Sequence, residues 1–290
     1  MSGRDAFPLP TAGGGTVAVP APGAGPQRWA GAPSAALDDD GSVVLAYRVR
    51  WGDERGDANV IARSADGERF ETVAMLDRER FGAAMVERPA LVRTDEGRWR
   101  LYVCCATPAS KHWWIGVVEA ADVEGLADQD VRPAFPGDER TGVKDPVVRR
   151  IGGRWHAWVC CHPLDEPGEE DRMSTGYATS DDGLGWRWHG TVLAGRAGAW
   201  DARGARLTVV LPDGRAAYDG RATKEENWFE RTGLAAPADG SGRLAAVGDR
   251  PVLAARYLEV LALPDGGHRL FWEATLPDER HELRTERLGA

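Results

Sequence analysis

Five copies of one short pattern constrain the architecture of this chain more than any other feature. In each copy an apolar strand runs into a tight turn and is followed by a second strand, which in the clearer copies ends in aromatic residues. Three copies are plain: Pro33 to Leu37 with Asp40-Gly41 and Val43 to Tyr47, Pro89 to Val92 with Glu96-Gly97 and Trp99 to Val103, and Pro146 to Val148 with Gly152-Gly153 and Trp155 to Val159. Two weaker copies follow, Ala205 to Val210 with Asp213-Gly214, and Tyr257 to Leu261 with Gly266-Gly267 and Leu270 to Trp272. Turns of the Asp-Gly or Gly-Gly kind favour two-residue hairpins, because both central residues can take positive φ.

The turn glycines Gly41, Gly97, Gly153, Gly214 and Gly267 stand 56, 56, 61 and 53 residues apart, enough for four short strands and their turns. That is the size of a propeller blade. The outer half of a blade has its own signature in Ser64-Ala65-Asp66-Gly67-Glu68-Arg69-Phe70 and again in Ser180-Asp181-Asp182-Gly183-Leu184-Gly185-Trp186. The last copy has room for only three strands, and a strand at Thr16 to Val19 would supply the fourth and remove an open edge. No stretch holds an apolar period of 3.6 residues. The expectation is an all-β, five-bladed β-propeller of four-stranded antiparallel blades, with an N-terminal strand closing the last blade. Residues 1–28 form a loose segment apart from that strand, and residues 29–290 form one domain.

The 45 acidic residues outnumber 36 basic ones, and a net charge of -9 gives no global pull toward nucleic acid or anionic membrane. The start, Met1 to Pro8, has no apolar signal-peptide core and no run reaches the length of a membrane helix, so a soluble, cytoplasmic location is expected. Cys104-Cys105 and Cys160-Cys161 are adjacent pairs, poorly placed to bridge within themselves, and reduced thiols are expected. Cys161-His162 offers only a loose variant of metal-ligand spacing, and a Cys161 nucleophile with His162 as base stays open although sequence neighbours seldom form such a dyad. No Gly-x-Gly-x-x-Gly, Walker or Gly-x-Ser-x-Gly element is present, so neither cofactor nor metal is expected.

In a propeller the starts of the innermost strands and the ends of the antiparallel strands after them gather at one face of the ring. The starts read Gly31-Ala32-Pro33, Glu87-Arg88-Pro89, Lys144-Asp145-Pro146, Asp201-Ala202-Arg203-Gly204 and Arg256-Tyr257. The ends read Arg48, Cys104-Cys105, Cys160-Cys161-His162, Tyr218-Asp219-Gly220-Arg221 and Glu273. Four of the five copies thus place a charged residue just before the first apolar strand. Convergent charge in a concave mouth is a candidate site. Paired at strand ends, the same charges form a structural network.

These residues resemble the five-bladed β-propeller glycosidases, of the kind in glycoside hydrolase families 43, 32, 68 and 130. The resemblance spans most of the chain and rests on the repeat, on Lys144-Asp145-Pro146, and on the two Ser-x-Asp-Gly hairpins. It implies acidic residues from successive inner strands, with Asp145 as the helper that tunes a pKa or steadies a cation-like transition state and Asp201 as the candidate acid. Replacing Asp145 by Asn is then expected to abolish turnover with little loss of fold. Glycoside hydrolysis needs two carboxylates roughly 5 to 10 Å apart. Where the first blade of such a protein carries its base or nucleophile, this chain has Ala32. Glu87, Asp219 or Glu273 supplies the missing carboxylate, or the funnel binds sugar without that reaction, or phosphate replaces water as the attacking species.

Arg48, Arg88, Lys144, Arg203, Arg221 and Arg256 fall at the same mouth and favour an anionic ligand, since a free guanidinium grips carboxylate or phosphate bidentately. Tyr257, Trp113, Trp114 and Trp228 offer faces for a sugar ring, and His112 and His162 add hydrogen bonds or proton transfer. The expected function is therefore glycosidase-like, acting on or binding a small anionic carbohydrate. The rival is a non-catalytic propeller that binds a sugar or docks a protein partner through an exposed apolar patch.

Overall fold

The computed structural model describes residues 6–52, 56–240 and 242–289. Of the N-terminal segment, residues 1–5 therefore lie outside the described residues, as does most of the Met1 to Pro8 stretch read for a leader. The chain opens with β1 (Thr16–Val19). It continues through β2 (Trp29–Leu37), β3 (Val43–Arg50), β4 (Ala58–Ser64) and β5 (Glu71–Asp77), each antiparallel to the next. Three further sets repeat that order: β6 (Ala90–Arg93), β7 (Trp99–Ala106), β8 (Trp113–Ala120) and β9 (Arg132–Phe135); β10 (Thr141–Ile151), β11 (Arg154–Pro163), β12 (Ser174–Ser180) and β13 (Arg187–Ala194); β14 (Gly204–Val210), β15 (Ala216–Arg221), β16 (Arg231–Pro237) and β17 (Leu244–Val247). The last set is β18 (Arg256–Ala262), β19 (His268–Thr275) and β20 (His281–Leu288), and β1 pairs antiparallel with β20 to complete it.

The architecture is thus all-β, built from four-stranded antiparallel sheets. Among the described residues, the first and last sets share one parallel pair, Trp29 with His281. The first strands of the sets touch in cyclic order, β2 to β6, β10, β14, β18 and back to β2. Apolar side chains fill the space between each neighbouring pair of sets. Trp99 lies between the first and second, Trp155 between the second and third, Trp158 between the third and fourth, and Trp272 between the fourth and fifth. Phe271 and Leu283 meet Leu45 and Val60 where the last set meets the first.

Two sequence signals have clear physical causes. Gly41, Gly97, Gly153 and Gly214 have φ of 82°, 77°, 81° and 84°, and in the fifth copy Gly266 takes that role at 86°. The Ser-x-Asp-Gly hairpins are held by their own side chains: Ser64 Oγ accepts the Gly67 amide at 2.8 Å, and Asp66 Oδ1 accepts those of Glu68 and Arg69 at 2.9 Å. Ser180 and Asp182 do the same for Gly183, Leu184 and Gly185. Each hairpin then docks on the adjoining set, the Tyr102 hydroxyl donating to Gly183 O at 2.6 Å and Arg269 to Asp66 O at 2.8 Å.

The N-terminal segment is tied down beyond β1. Phe7 and Leu9 pack against the core between the fourth and fifth sets, and Glu286 accepts the amide and hydroxyl of Thr11. Removing residues 1–19 would uncover the β20 edge, and exposed edges pair with other chains. The expected result is concentration-dependent association by light scattering, where the full chain keeps one mass. Among the described residues no helix is long and apolar enough to cross a membrane.

Candidate functional site

The innermost segment of each set carries one extra residue relative to its partner, in the fourth set one or two residues nearer the turn than in the others. The breaks fall between Gly31 and Ser34, Lys144 and Val147, Leu207 and Val209, and Arg256 and Glu259; in the second set one falls between the Val86–Cys105 bridge and the Ala90–Tyr102 pair. A bulge re-aims the side chains beside it. Ala32, Asp145 and Tyr257 sit in three of these bulges with φ of 55°, 49° and 51°, unusual for residues other than glycine.

The bulges bring together most of the charged residues read from the repeat. Arg48 reaches Glu87 at 3.1 Å and Glu273 at 2.8 Å, and Glu273 also holds Arg256 at 2.9 Å. Arg256 meets Glu230 at 2.8 Å, Glu230 meets Arg221 at 2.7 Å, and Arg221 meets Asp171 at 3.0 Å. Signs alternate along this path. Beside it, Arg206 binds Asp145 at 3.1 Å and Asp219 at 2.7 Å while lying 3.9 Å over the Tyr257 ring. The Tyr257 amide donates to Asp219 and its hydroxyl to Asp145. Arg88 binds Glu259 at 3.1 Å and the Thr208 carbonyl at 2.7 Å.

Burial makes these charges costly unless paired, and pairing sets their protonation. Burial would raise the Asp145 and Glu230 carboxyls, but Lys144 and Arg206 around Asp145, and Arg256 and Arg206 around Glu230, hold each down to about 2. Glu273 is likewise held well below its usual range by Arg256 and Arg48 against burial. Asp219 goes the other way, raised by burial despite Arg206. Burial and then the Lys144 charge push His162 down to about 3, so its imidazole is neutral. Its Nδ1 meets the Glu170 carbonyl at 3.0 Å and its Nε2 lies 3.5 Å from Cys160 Sγ. All four cysteines are free and buried, and burial pushes Cys161 up to about 11, which disfavours a thiolate nucleophile beside His162. Among the described residues, no three His, Cys, Asp or Glu side chains are grouped to hold a metal ion.

The remaining predicted residues are more dispersed. Lys144 lies 3.9 Å from Asp145 and 4.9 Å over the half-buried Trp113 ring. Arg203 lies at the edge, held by Glu169 and Asp171. Asp201 is not brought to the axis: it bonds Arg196 at 2.9 Å and the Tyr218 hydroxyl at 2.6 Å, beside the core between the third and fourth sets. Arg206 and Glu259 lie inside the repeat's strands but, like Glu230, are not among the candidate residues read at the strand ends. Counting from the turn glycine would have found Arg206, eight residues before Gly214 as Asp145 is before Gly153.

Solvent access separates two regions. Asp145, Asp219 and Glu273 are 0% exposed and Glu87 8%. Beside them, over the third set, a cleft of about 760 Å³ opens between Phe135, Trp186, Trp188, His162, Arg172 and Arg203. Gly176 permits this wall: a Cβ there would stand 2.3 Å from Trp188 Cζ2. An aromatic wall beside guanidinium groups suits a ligand with an apolar face and polar or charged substituents.

No family model and no curated protein matches the chain. Solved structures do. A glycoside hydrolase of Parabacteroides distasonis, described as putative in its own report, shares 16% identity and a TM-score of 0.63, over 95% of each chain. The β-1,2-mannobiose phosphorylase of Listeria innocua shares 14% identity and a TM-score of 0.61, over 89% of each chain. The sucrose-6-phosphate hydrolase of Lactobacillus gasseri shares 11% identity and a TM-score of 0.67, over 95% of this chain and 61% of that one. The fold is that of the glycoside hydrolase-like propeller proteins.

Proposed function

We propose that this protein is a five-bladed β-propeller of the glycosidase type that binds a small anionic carbohydrate in the cleft over its third blade, with the charged axis serving as the internal frame. One observation carries the reading: the axial carboxylates are sealed and bonded to guanidiniums, whereas aromatic rings and cationic side chains meet solvent together in the adjoining cleft. A sugar would lay its apolar face on Trp188, which is 45% exposed, and direct its anionic group toward Arg172 and Arg203.

The test is a thermal-shift series with glucose, mannose, glucuronate, glucose 6-phosphate and inorganic phosphate. A ligand at a hundredfold excess over its Kd stabilises the native state by about 2.7 kcal/mol. A rise in Tm with an anionic sugar, lost in Trp188→Ala, is the expected result. No shift with any ligand would favour a scaffold that docks a protein partner.

A specific observation supports a catalytic second reading: among the described residues, Asp145 Oδ1 is buried at the axis without a hydrogen-bond partner. On that reading Asp145 with Glu87 or Glu273 handles protons. Turnover of an aryl glycoside, with water or phosphate as acceptor, that disappears in Asp145→Asn would establish it.

A further inference from the structure

Arg203 differs from the axial arginines in where its partners come from. Arg48, Arg206 and Arg256 each meet at least one carboxylate carried on a strand, Glu273, Asp145 or Asp219. Among the described residues, the hydrogen-bond partners of the Arg203 side chain come from the connection between β11 and β12. Its Nε and Nη2 donate to the two oxygens of Asp171 at 3.1 and 2.5 Å, its Nη1 to Glu169 at 2.7 Å, and its Nη2 also to the Gly168 carbonyl at 3.2 Å. Asp171 Oδ2 in addition accepts from Arg221 Nη2 at 3.0 Å. One carboxylate therefore lies across two guanidiniums, the fork geometry by which arginines take up a phosphate or a ligand carboxylate.

This connection reads Asp165-Glu166-Pro167-Gly168-Glu169-Glu170-Asp171, five acids in seven residues, so its charges repel one another and depend on cations elsewhere. Cations around it hold it in place: Lys111 meets Glu170 at 2.6 Å, Arg140 meets Asp165 at 2.7 Å, Arg172 meets Glu169, and Arg221 Nη2 donates to the Asp171 carbonyl at 2.6 Å. Asp165 and Glu166 line the cleft of about 760 Å³, while Leu164 and Glu170 line a second hollow of about 680 Å³. The cations are the better buried side: the Arg203 and Arg221 side chains are 12% and 2% exposed, against 36% for Glu169 and 22% for Asp171. If the loop lifted, Arg221 would keep Glu230, whereas Arg203 would be left as a free guanidinium on the cleft wall.

We propose that Arg203 and Arg221 form an oxyanion subsite of the cleft, that the acidic loop 165–171 is its internal occupant, and that the anionic group of the ligand displaces Asp171 on binding. This rests on the carbohydrate-binding reading for the sugar moiety and stands independently of it for the anion. The exchange replaces one set of charge-assisted hydrogen bonds with another, so the loop sets an affinity threshold that a neutral sugar cannot cross by this route.

The test uses isothermal titration of the full chain with inorganic phosphate, glucose 6-phosphate, glucuronate and glucose. Asp171→Asn keeps the shape of the side chain but weakens the internal occupant, and it should bind phosphate and the two anionic sugars at least about tenfold more tightly than the wild type. Glucose affinity should not change. Arg203→Ala placed on Asp171→Asn should cancel the gain, and Glu169→Gln should reproduce part of it by itself. In the wild type, saturating phosphate should speed amide hydrogen exchange across residues 165–171. Equal anion affinity in wild type, Asp171→Asn and Glu169→Gln would overturn the proposal even where sugars bind, as would a gain that survives Arg203→Ala. Tighter phosphate binding in Asp171→Asn with no sugar bound by either protein would instead overturn the carbohydrate reading and leave the anion exchange standing. Phosphate binding without a gain for glucuronate would identify the ligand group as a phosphate ester.

Discussion

Glu273→Gln is expected to lower the free energy of unfolding by about 3–5 kcal/mol, the usual cost of removing one partner from a buried ion pair. Glu273 is 0% exposed and accepts from Arg48 at 2.8 Å, Arg256 at 2.9 Å, the Ala32 amide at 2.9 Å and His281. Gln fills nearly the same space but removes the charge that compensates two buried guanidiniums, and it points an amide toward one of them. A control separates this from generic mutational damage. Asp278, 54% exposed and paired with Arg280, should change stability little as Asn. Urea unfolding at pH 7 measures both, and a loss below about 1 kcal/mol for Glu273→Gln would mean that the axis does not pair as described.

Acid should unfold the protein unusually steeply. The Asp145 and Glu230 carboxyls lie at about 2 when folded, against ordinary values of 3.8 and 4.5. The unfolded chain therefore binds more protons than the folded one through the window from about pH 5 to pH 2, so stability falls as pH falls. A shift of one unit is worth about 1.4 kcal/mol, so Asp145 contributes about 2.5 kcal/mol and Glu230 about 3.5 kcal/mol above that window and both lose it below. Glu273, also held well below its ordinary range by Arg256 and Arg48, adds to the slope. Asp219, raised by burial, takes its proton earlier in the folded state and opposes part of it. The net loss remains a large fraction of an ordinary domain's stability. Urea midpoints at pH 7, 5, 4 and 3 should fall progressively, and Glu230→Gln should be less stable at pH 7 yet show a flatter decline. A midpoint independent of pH below 5 would contradict the assigned pairing.

These expectations bear on Asp145 in particular. The glycosidase resemblance makes Asp145→Asn a change in chemistry with little effect on the fold, but its Oδ2 holds Arg206 and meets the Tyr257 hydroxyl in a site with no solvent exposure. Loss of stability therefore accompanies any loss of turnover, and the two must be measured together.

The sequence determined the sheets, because turn glycines at blade-sized spacing, Ser-x-Asp-Gly hairpins and strand-length apolar runs are local signals whose conformations follow from a few neighbouring residues. It also placed Arg48, Glu87, Arg88, Asp145, Asp219, Arg256 and Glu273 near one another, since equivalent positions in a cyclic repeat converge. The same counting failed at Asp201. The longer 61-residue spacing reflects extra chain between the Gly153 turn and β12, Asp201 stands farther from its turn glycine than Asp145 does, and the axial charge is Arg206, inside the apolar run of β14. Only the tertiary structure decided which charges neutralise one another and which meet solvent. Arg48 finds Glu273 across 225 residues, and Asp171 comes from a loop with no place in the repeat to take the guanidiniums of Arg203 and Arg221. Strand periodicity fixes where a side chain starts, but the partner of a long charged side chain is set by whichever segments the closed fold brings within hydrogen-bond reach.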